Sequence, residues 1–401
     1  MSGGTWQRVD DSYLIPLPPG SELFLLPDRV PVGYDHKKQR FVRLDKDPTD
    51  PMQKVQAVAA FMAPAHTQIL TAAFQRRENA RVLPLFSYTA VGWKEGQFLV
   101  AGVRIDPLVR QDMEQFDVEK LNSRTHRALA HQRDNRLIQH LGTCALSYGC
   151  PAARNYFLGR WEAPLPTSPQ CNAACLGCIS LQENSQVCAS QERITFVPTP
   201  EEIAEVAVDH LQKAEEPLVS FGQGCEGEPL LQVKTLMKAI GFIRSQTGLG
   251  TINLNTNGSL PQLVAQLRDS GLDTIRVSLN SAREGYYHRY YKPKGYRLSD
   301  VKESLRVMKR GGGFSSINLL TLPGVTDEAE EVEAIIELID KTGIDLIQMR
   351  NLNIDPDWYL GGIGYRPSGH TLSVPEMMER IRESHPQVKF GYFNPCLNPG
   401  K

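Results

Sequence analysis

Residues 171–178 read CNAACLGC, three thiols in a C-x3-C-x2-C array with no other strongly reactive side chain among them. Thiolates are soft ligands that select zinc or iron–sulfur clusters. Structural zinc is normally closed by four protein ligands, and the nearest further cysteine is Cys188. A [4Fe–4S] cube held by Cys171, Cys175 and Cys178 alone would instead leave one iron open to a small-molecule ligand. Downstream, polar groups gather where short apolar runs end: GQGCEGEP after PLVSF, TNG after TINLN, SLNS after TIRV, and Arg350, Asn351 and Asn353 in QMRNLN.

The elements that must position these groups read as strands alternating with helices from about residue 160 onward. EEIAEVAVDHLQKA, LLQVKTLMKAIGFIRSQTG, PQLVAQLRDSG, LSDVKESLRVMKRGG (capped by Ser299 or Asp300) and TDEAEEVEAIIELIDKTG carry helical spacing, with strand-like runs between them. About six such repeats argue for a parallel sheet with crossover helices, either doubly wound or a barrel. In both, functional residues sit at the C-terminal ends of strands, where the polar groups fall. The first third reads as mixed α+β: a hairpin in PVGYDHKKQRFVRLD, helical spacing on either side of Pro64 in 55–77, two strands joined by WKEGQ in 83–106, and helix in 107–142. Residues 355–401 read as a tail with one helix, VPEMMERIRESH.

Composition narrows the function classes. Of 401 residues, 41% are hydrophobic, enough for a buried core. The formal net charge of -1 provides no global field for nucleic acid or anionic membrane. No apolar run approaches the roughly 18 residues of a membrane span, and the N-terminus lacks the pattern of a secretory signal. A cytoplasmic setting is expected, where eight cysteines serve as ligands or packing groups rather than disulfides.

CNAACLGC resembles the cluster signature of the radical S-adenosylmethionine (SAM) superfamily. FGQGCEGEPLL, NTNG, VSLNS and LPGVTDEAEE follow in the order that family uses, and the resemblance covers residues 160–355. It implies an α/β fold, a partial (βα)6 TIM-like barrel over 160–355, preceded by a smaller α+β domain over 1–159 and capped by 356–401. It further implies a [4Fe–4S] cluster on Cys171, Cys175 and Cys178, with SAM chelating the fourth iron. Reductive cleavage would yield methionine and a 5′-deoxyadenosyl radical that takes a hydrogen atom from an unidentified substrate. An external donor such as a flavodoxin or ferredoxin would supply the electron. Glu228 would accept from SAM's ammonium, within the Glu226-Gly227-Glu228-Pro229 turn. Asn257, Ser278 and Asn280 would lie near the ribose and the methionine carboxylate, and Leu176 near adenine. Apart from the resemblance, the place of Arg350 at the C-terminal end of the sixth strand suits either a carboxylate of SAM or substrate or a structural ion pair. Two positions depart from the family: Glu226 stands where glycine is commonest, and Leu176 where an aromatic is.

Five cysteines remain: Cys144, Cys150, Cys188, Cys225 and Cys396. They could hold a second iron–sulfur cluster, but C-x5-C matches no established ligand spacing, and the plainer reading is packing. Cys225, beside the expected radical site, is also a candidate hydrogen-atom donor. YYHRYYKPKGYR (286–297) could clamp an anionic substrate or contact RNA, against the plainer reading of rings packed on the barrel. Two other functions stay open: a non-catalytic iron–sulfur or zinc protein, and an RNA-modifying enzyme.

Overall fold

The computed structural model of the chain describes residues 1–47, 49–182 and 187–398. Its central element is a seven-stranded sheet: β1 (Arg160–Pro164), β2 (Glu215–Phe221), β3 (Thr251–Thr256), β4 (Thr274–Leu279), β5 (Phe314–Thr321), β6 (Leu346–Asn351) and β7 (Lys389–Gly391), in that spatial order. Every neighbouring pair is parallel. Between strands run α1 (Pro200–Lys213), α2 (Val233–Gln246), α3 (Pro261–Asp269), α4 (Glu284–Tyr291), α5 (Leu298–Arg310), α6 (Ala329–Thr342), α7 (Pro356–Ile363) and α8 (Val374–Ser384).

The strands are buried on both faces, yet their residue types alternate. In β3, Ile252 and Leu254 join the apolar cluster that includes Leu236, Ile240 and Ile243 of α2. Asn253 of the same strand instead bonds Ser220, Asn255 and Thr274. In β4 and β6, Ile275, Val277, Ile347 and Met349 belong to the apolar cluster, while Arg276 Nη1 donates to Gln348 Oε1 at 3.0 Å. Period-two alternation thus sorts apolar groups toward the helices and polar groups into the concave side. Each fully buried aliphatic side chain contributes roughly 1.5–3 kcal/mol. The concave side is bridged by a chain of bonds: Gln348 Nε2 donates to Asn394 Oδ1 at 2.8 Å, and Asn394 Nδ2 to Glu162 Oε1 at 2.9 Å. Glu162 lies on β1 and Gln348 on β6, so opposite ends of the sheet are drawn together into a partial barrel.

Capping fixes where helices begin. Thr199 and Glu202 form a reciprocal capping box at α1. At α5 the cap is Arg297, one turn earlier than expected at Ser299 or Asp300, because the Asp300 carboxylate reaches back to the Arg297 amide at 2.8 Å. The tail holds two helices and one strand rather than one helix, with β7 extending the sheet beside β6.

Upstream, small antiparallel sheets precede three helices, Val118–His131, Arg136–Leu146 and Pro151–Leu158. The hairpin Arg29–Asp35/Arg40–Arg43 and the pair Val91–Lys94/Gln97–Arg104 form where expected. The helical reading of 55–77 is corrected: Ala57–Phe61, His66–Gln68 and Phe74–Arg76 are strands. Ala57–Phe61 pairs along its whole length with Glu22–Leu26, so cross-strand pairing overrides the helix preference of its alanines. This unit abuts the C-terminal ends of β5 and β6, where the Gln68 amide donates to Asn351 Oδ1 at 2.8 Å and the Gln68 side chain to the Thr321 carbonyl at 3.4 Å. A buried Arg29–Asp355 ion pair of 2.8 Å adds a second tie.

His210 of α1 is buried, and its Nε2 bonds the Trp161 carbonyl of β1 at 2.6 Å. A carbonyl only accepts, so Nε2 carries the proton; Nδ1 is buried with no partner among the described residues, which disfavours a second proton and the charged ring. Burial pushes its pKa down to about 4. The neutral ring's contribution to stability is present in full above pH 6.5, its ordinary value, and is lost as pH falls toward 4. We predict that urea unfolding at stepped pH will show the wild type's advantage over His210→Gln shrinking across that window. A difference independent of pH would refute the buried neutral ring.

Candidate functional site

The segment after β1 carries the three-cysteine array, and it owes its shape to the segment after β2. Glu226 Oε2 accepts the amides of Thr167 and Ser168 at 2.8 and 2.9 Å, and its Oε1 accepts that of Gln223 at 2.7 Å. The Gly227 amide donates to the Ser168 carbonyl at 2.6 Å and the Glu228 amide to the Gln170 carbonyl at 2.7 Å. These bonds bring the two backbones so close that a Cβ at Gly227 would stand 1.9 Å from the Gln170 carbonyl oxygen. Gly222 turns the chain out of β2 at φ +77°, against the Asn255 carbonyl. Burial raises the Glu226 carboxyl to about 7, against the pull of its backbone donors.

The array is tied to the next two strand ends as well. Asn172 Oδ1 accepts Asn257 Nδ2 at 2.7 Å, and Asn172 Nδ2 donates to Ser259 Oγ at 3.0 Å. The amides of Ala174 and Leu176 donate to the carbonyls of Tyr291 and Tyr290, both at 3.0 Å. Burial pushes the Cys171 thiol up to about 11, and Cys175 well above its ordinary value, with further upward pressure from Cys178 and Cys171. Arg193 Nη2 stands 3.4 Å from Cys178 Sγ while its Nε donates to Ser180 Oγ at 3.2 Å.

Three soft thiols on one short loop, with Cys171 and Cys175 pushed up by burial and by their neighbours in the array, are a donor set that fits an iron–sulfur cluster. Among the described residues, the one group of three ligand atoms all within 4.8 Å of one another is His140, Cys144 and Cys225. Buried, mutually repelling thiolates gain from positive charge placed among them, which a cluster supplies and Arg193 adds at one corner. Cys188 is exposed.

Glu228 is 3% exposed and already accepts three donors: Thr256 Oγ1 at 2.5 Å and the Leu230 amide at 3.0 Å on Oε1, and the Asn257 amide at 2.7 Å on Oε2. A carboxylate has about four acceptor positions, so one remains, on Oε2. Burial lifts this group also to about 7. Pro229 opens a short 3₁₀ turn with Glu228 as its cap. Leu176 is buried and points at α7, where a Cβ on Gly362 would lie 2.5 Å from its Cδ1. Ser278 sits on β4 in register with Asn318 of β5. Asn280 Nδ2 donates to Tyr359 Oη at 3.1 Å. Arg350 Nη2 donates to the Tyr392 carbonyl at 2.6 Å, with the guanidinium 3.5 Å from that ring's centroid.

Several buried polar atoms of these strands have no partner among the described residues: Asn255 Nδ2, Arg276 Nε, Asn280 Oδ1, Asn318 Oδ1 and Arg350 Nε. Burial, then the charge of Arg350, lowers Arg276 to about 10. Two guanidiniums in a polar recess can take a carboxylate or a phosphate.

The run 286–297 is helix α4 and the turn after it. Tyr287, Tyr290, Tyr291 and Tyr296 are buried, so these four rings pack inward, while the basic side chains of the run face solvent and Tyr286 is half-buried. The segment acts on the site through its backbone carbonyls. Cys396 lies apart from the other thiols, bonded to the Pro217 carbonyl at 3.4 Å. Sequence reasoning missed Asn172, Arg193 and Arg276. Arg276 did leave a signal, a charge inside the otherwise apolar strand TIRVSL; Arg193 left none.

Residues 165–339 match the family model of the Radical SAM superfamily. Over 232 residues the chain is 25% identical to the GTP 3',8-cyclase of Marinobacter nauticus, covering 56% of this chain and 62% of that protein. Over 118 residues it is 28% identical to a probable dual-specificity RNA methyltransferase RlmN of Flavobacterium johnsoniae, covering 28% of this chain and 34% of that one. The chain thus spans less than two thirds of either relative's length. Among solved structures, methylornithine synthase aligns with a TM-score of 0.41 and 14% identity over 70% of this chain and 74% of that one.

The Gly227–Gln170 contact makes a direct prediction. Gly227→Ala should lower stability by about 1–3 kcal/mol in urea unfolding, as overpacking against backbone that cannot yield. A loss under about 0.5 kcal/mol, the range of an ordinary surface change, would show that the two loops are not in contact.

Proposed function

This chain is a member of the radical SAM superfamily through its residues 165–339, and on that premise we propose that it cleaves SAM reductively to start hydrogen abstraction from an anionic substrate. The observation that carries the reading is the three-thiol loop clamped by the segments that follow β2, β3 and β4. Cys171, Cys175 and Cys178 would hold a [4Fe–4S] cluster. Together with SAM, the bound cluster supplies a 5′-deoxyadenosyl radical once an external one-electron donor, such as a flavodoxin or ferredoxin, has reduced it.

The chain's own residues then have positioning tasks. Glu228 offers its remaining acceptor position to SAM's ammonium, a charge-assisted bond in a buried setting. The Glu226-Gly227-Glu228-Pro229 turn sets the height of that carboxylate. Asn257, Ser278 and Asn280 present polar groups to the ribose and the carboxylate of methionine, and Leu176 an aliphatic wall to adenine. Arg193 places its guanidinium against Cys178 Sγ and adds positive charge beside the cluster. The N-terminal unit, bonded to the ends of β5 and β6, narrows the mouth and keeps water away.

Arg276 and Arg350 receive an anionic group of the substrate. The relative named as a GTP 3',8-cyclase acts, by its name, on a polyphosphate nucleotide, which accords with two guanidiniums in the recess. The inward packing of the tyrosines argues against 286–297 as a base-stacking surface.

Anaerobically reconstituted and reduced protein is expected to convert SAM to methionine and 5′-deoxyadenosine, detected by mass spectrometry, and Cys175→Ala to lose both iron and product. Protein with a full iron complement that leaves SAM intact under strong reductant would sink the reading. Arg350→Met is expected to leave the SAM concentration for half-maximal cleavage within about twofold and to weaken binding of GTP, used as an anionic probe, about tenfold, the loss of one charged hydrogen bond. A tenfold weaker SAM instead would return Arg350 to SAM's carboxylate.

A further inference from the structure

Outside the three-cysteine loop, a second set of soft ligands is assembled from two distant parts of the chain. His140 and Cys144 lie four residues apart on the helix Arg136–Leu146, and so on one face of it. Cys225 comes from the segment after β2, next to Glu226. The three ligand atoms all lie within 4.8 Å of one another, and Cys144 Sγ is 3.6 Å from His140 Nε2. Around a tetrahedral zinc with Zn–S of about 2.3 Å and Zn–N of about 2.0 Å, a sulfur and a nitrogen stand about 3.5 Å apart. The Cys144–His140 spacing is therefore that of two ligands sharing one ion, and Cys225 lies within reach of the same ion. Cys144 and Cys225 are 3% and 6% exposed, while His140 is half-buried; unlike the usual closed structural site, three protein ligands leave one tetrahedral position for an exchangeable ligand such as water.

The surroundings hold the set in place. The Cys225 carbonyl accepts the Ile194 amide at 2.7 Å, the Cys144 carbonyl accepts the Cys150 amide at 2.9 Å, and the Phe196 ring stands edge-on to His140. Two thiols and an imidazole are a donor set that selects zinc over calcium or magnesium. They are too close together for a cube, whose ligands sit on different metal atoms.

We propose that His140, Cys144 and Cys225 bind one Zn²⁺ ion that staples the helix Arg136–Leu146 to the loop carrying Glu226, Gly227 and Glu228. The ion ties the N-terminal segment to the barrel at the loop that positions the cysteine array. Binding releases the two thiol protons and involves no redox change. This site is independent of SAM chemistry, and its test needs neither cluster nor SAM.

Full-length protein carrying Cys171→Ala, Cys175→Ala and Cys178→Ala, purified without chelator, is expected to retain close to one zinc per chain by mass spectrometry, and adding Cys225→Ser to remove it. In parallel, otherwise wild-type protein stripped of metal and titrated with Co²⁺ should show the intense near-ultraviolet thiolate-to-cobalt band, lost in Cys144→Ser and kept in Cys175→Ala. The cobalt arm stands even if the triple variant does not fold. A band that follows Cys175 rather than Cys144, iron in place of zinc in the triple variant, or a Cys144–Cys225 disulfide in protein purified under reductant would overturn the proposal.

Discussion

The site depends on two irregular segments lying in backbone contact. The chain from Thr167 to Gln170 has no ladder of its own, and neither has the chain from Gly222 to Glu228. Buried amides and carbonyls need partners. These find them in each other: Ser168 and Gln170 carbonyls accept from Gly227 and Glu228, and the Glu226 carboxylate gathers the amides of Thr167, Ser168 and Gln223. The contact is possible only because residue 227 has no side chain. It converts a loop, ordinarily the softest part of a barrel, into a fixed support for Cys171 one residue further on.

From that contact the rigidity spreads around the mouth. Parallel strands deliver all their C-terminal ends to the same side, so the segments after β3 and β4 also reach the cysteine loop. Asn257 meets it through Asn172, and the Tyr290 and Tyr291 carbonyls meet it through the amides of Leu176 and Ala174. Glu228 links two of these supports, since it accepts both from its own turn and from the Thr256–Asn257 end of β3. A substitution at Glu228 therefore disturbs the frame of the site as well as any ligand beside it. Loss of SAM affinity in such a variant does not by itself identify a direct contact.

Much of this was legible in the sequence, for a physical reason. Strand-end motifs are local: a run such as TINLNTNG carries the strand, its exit turn and the polar group within eight residues, and the alternation with helices follows from period alone. What failed was non-local. The alanines of 57–60 favour helix in isolation, and only their pairing with 22–26 makes them a strand. Arg193 meets Cys178 from fifteen positions further along the chain. His140 and Cys144 look like one helix face with nothing opposite until the fold brings Cys225 to them. No spacing rule spans that gap, because sequence separation sets no limit on spatial distance once the chain is folded.

The concave face of the barrel shows what such a site costs the fold. Leaving a buried donor or acceptor unpaired costs about 1–3 kcal/mol. Here Asn255, Arg276, Asn280, Asn318 and Arg350 each leave one polar atom without a protein partner among the described residues. They cluster on neighbouring strands, while the opposite face of those strands is packed with Ile, Leu, Val and Met. A chain selected for stability alone would place apolar groups on both faces of a buried parallel strand. These five share the concave face, two of them guanidiniums and all on the side of the thiol loop, while Ser315 Oγ of β5 is a further unpartnered atom on the other face. On the proposed function the five are groups kept for partners that arrive from outside the chain; the apolar shell offsets their cost, and the polarity of the recess would let a charged ligand exchange its water for fixed protein groups.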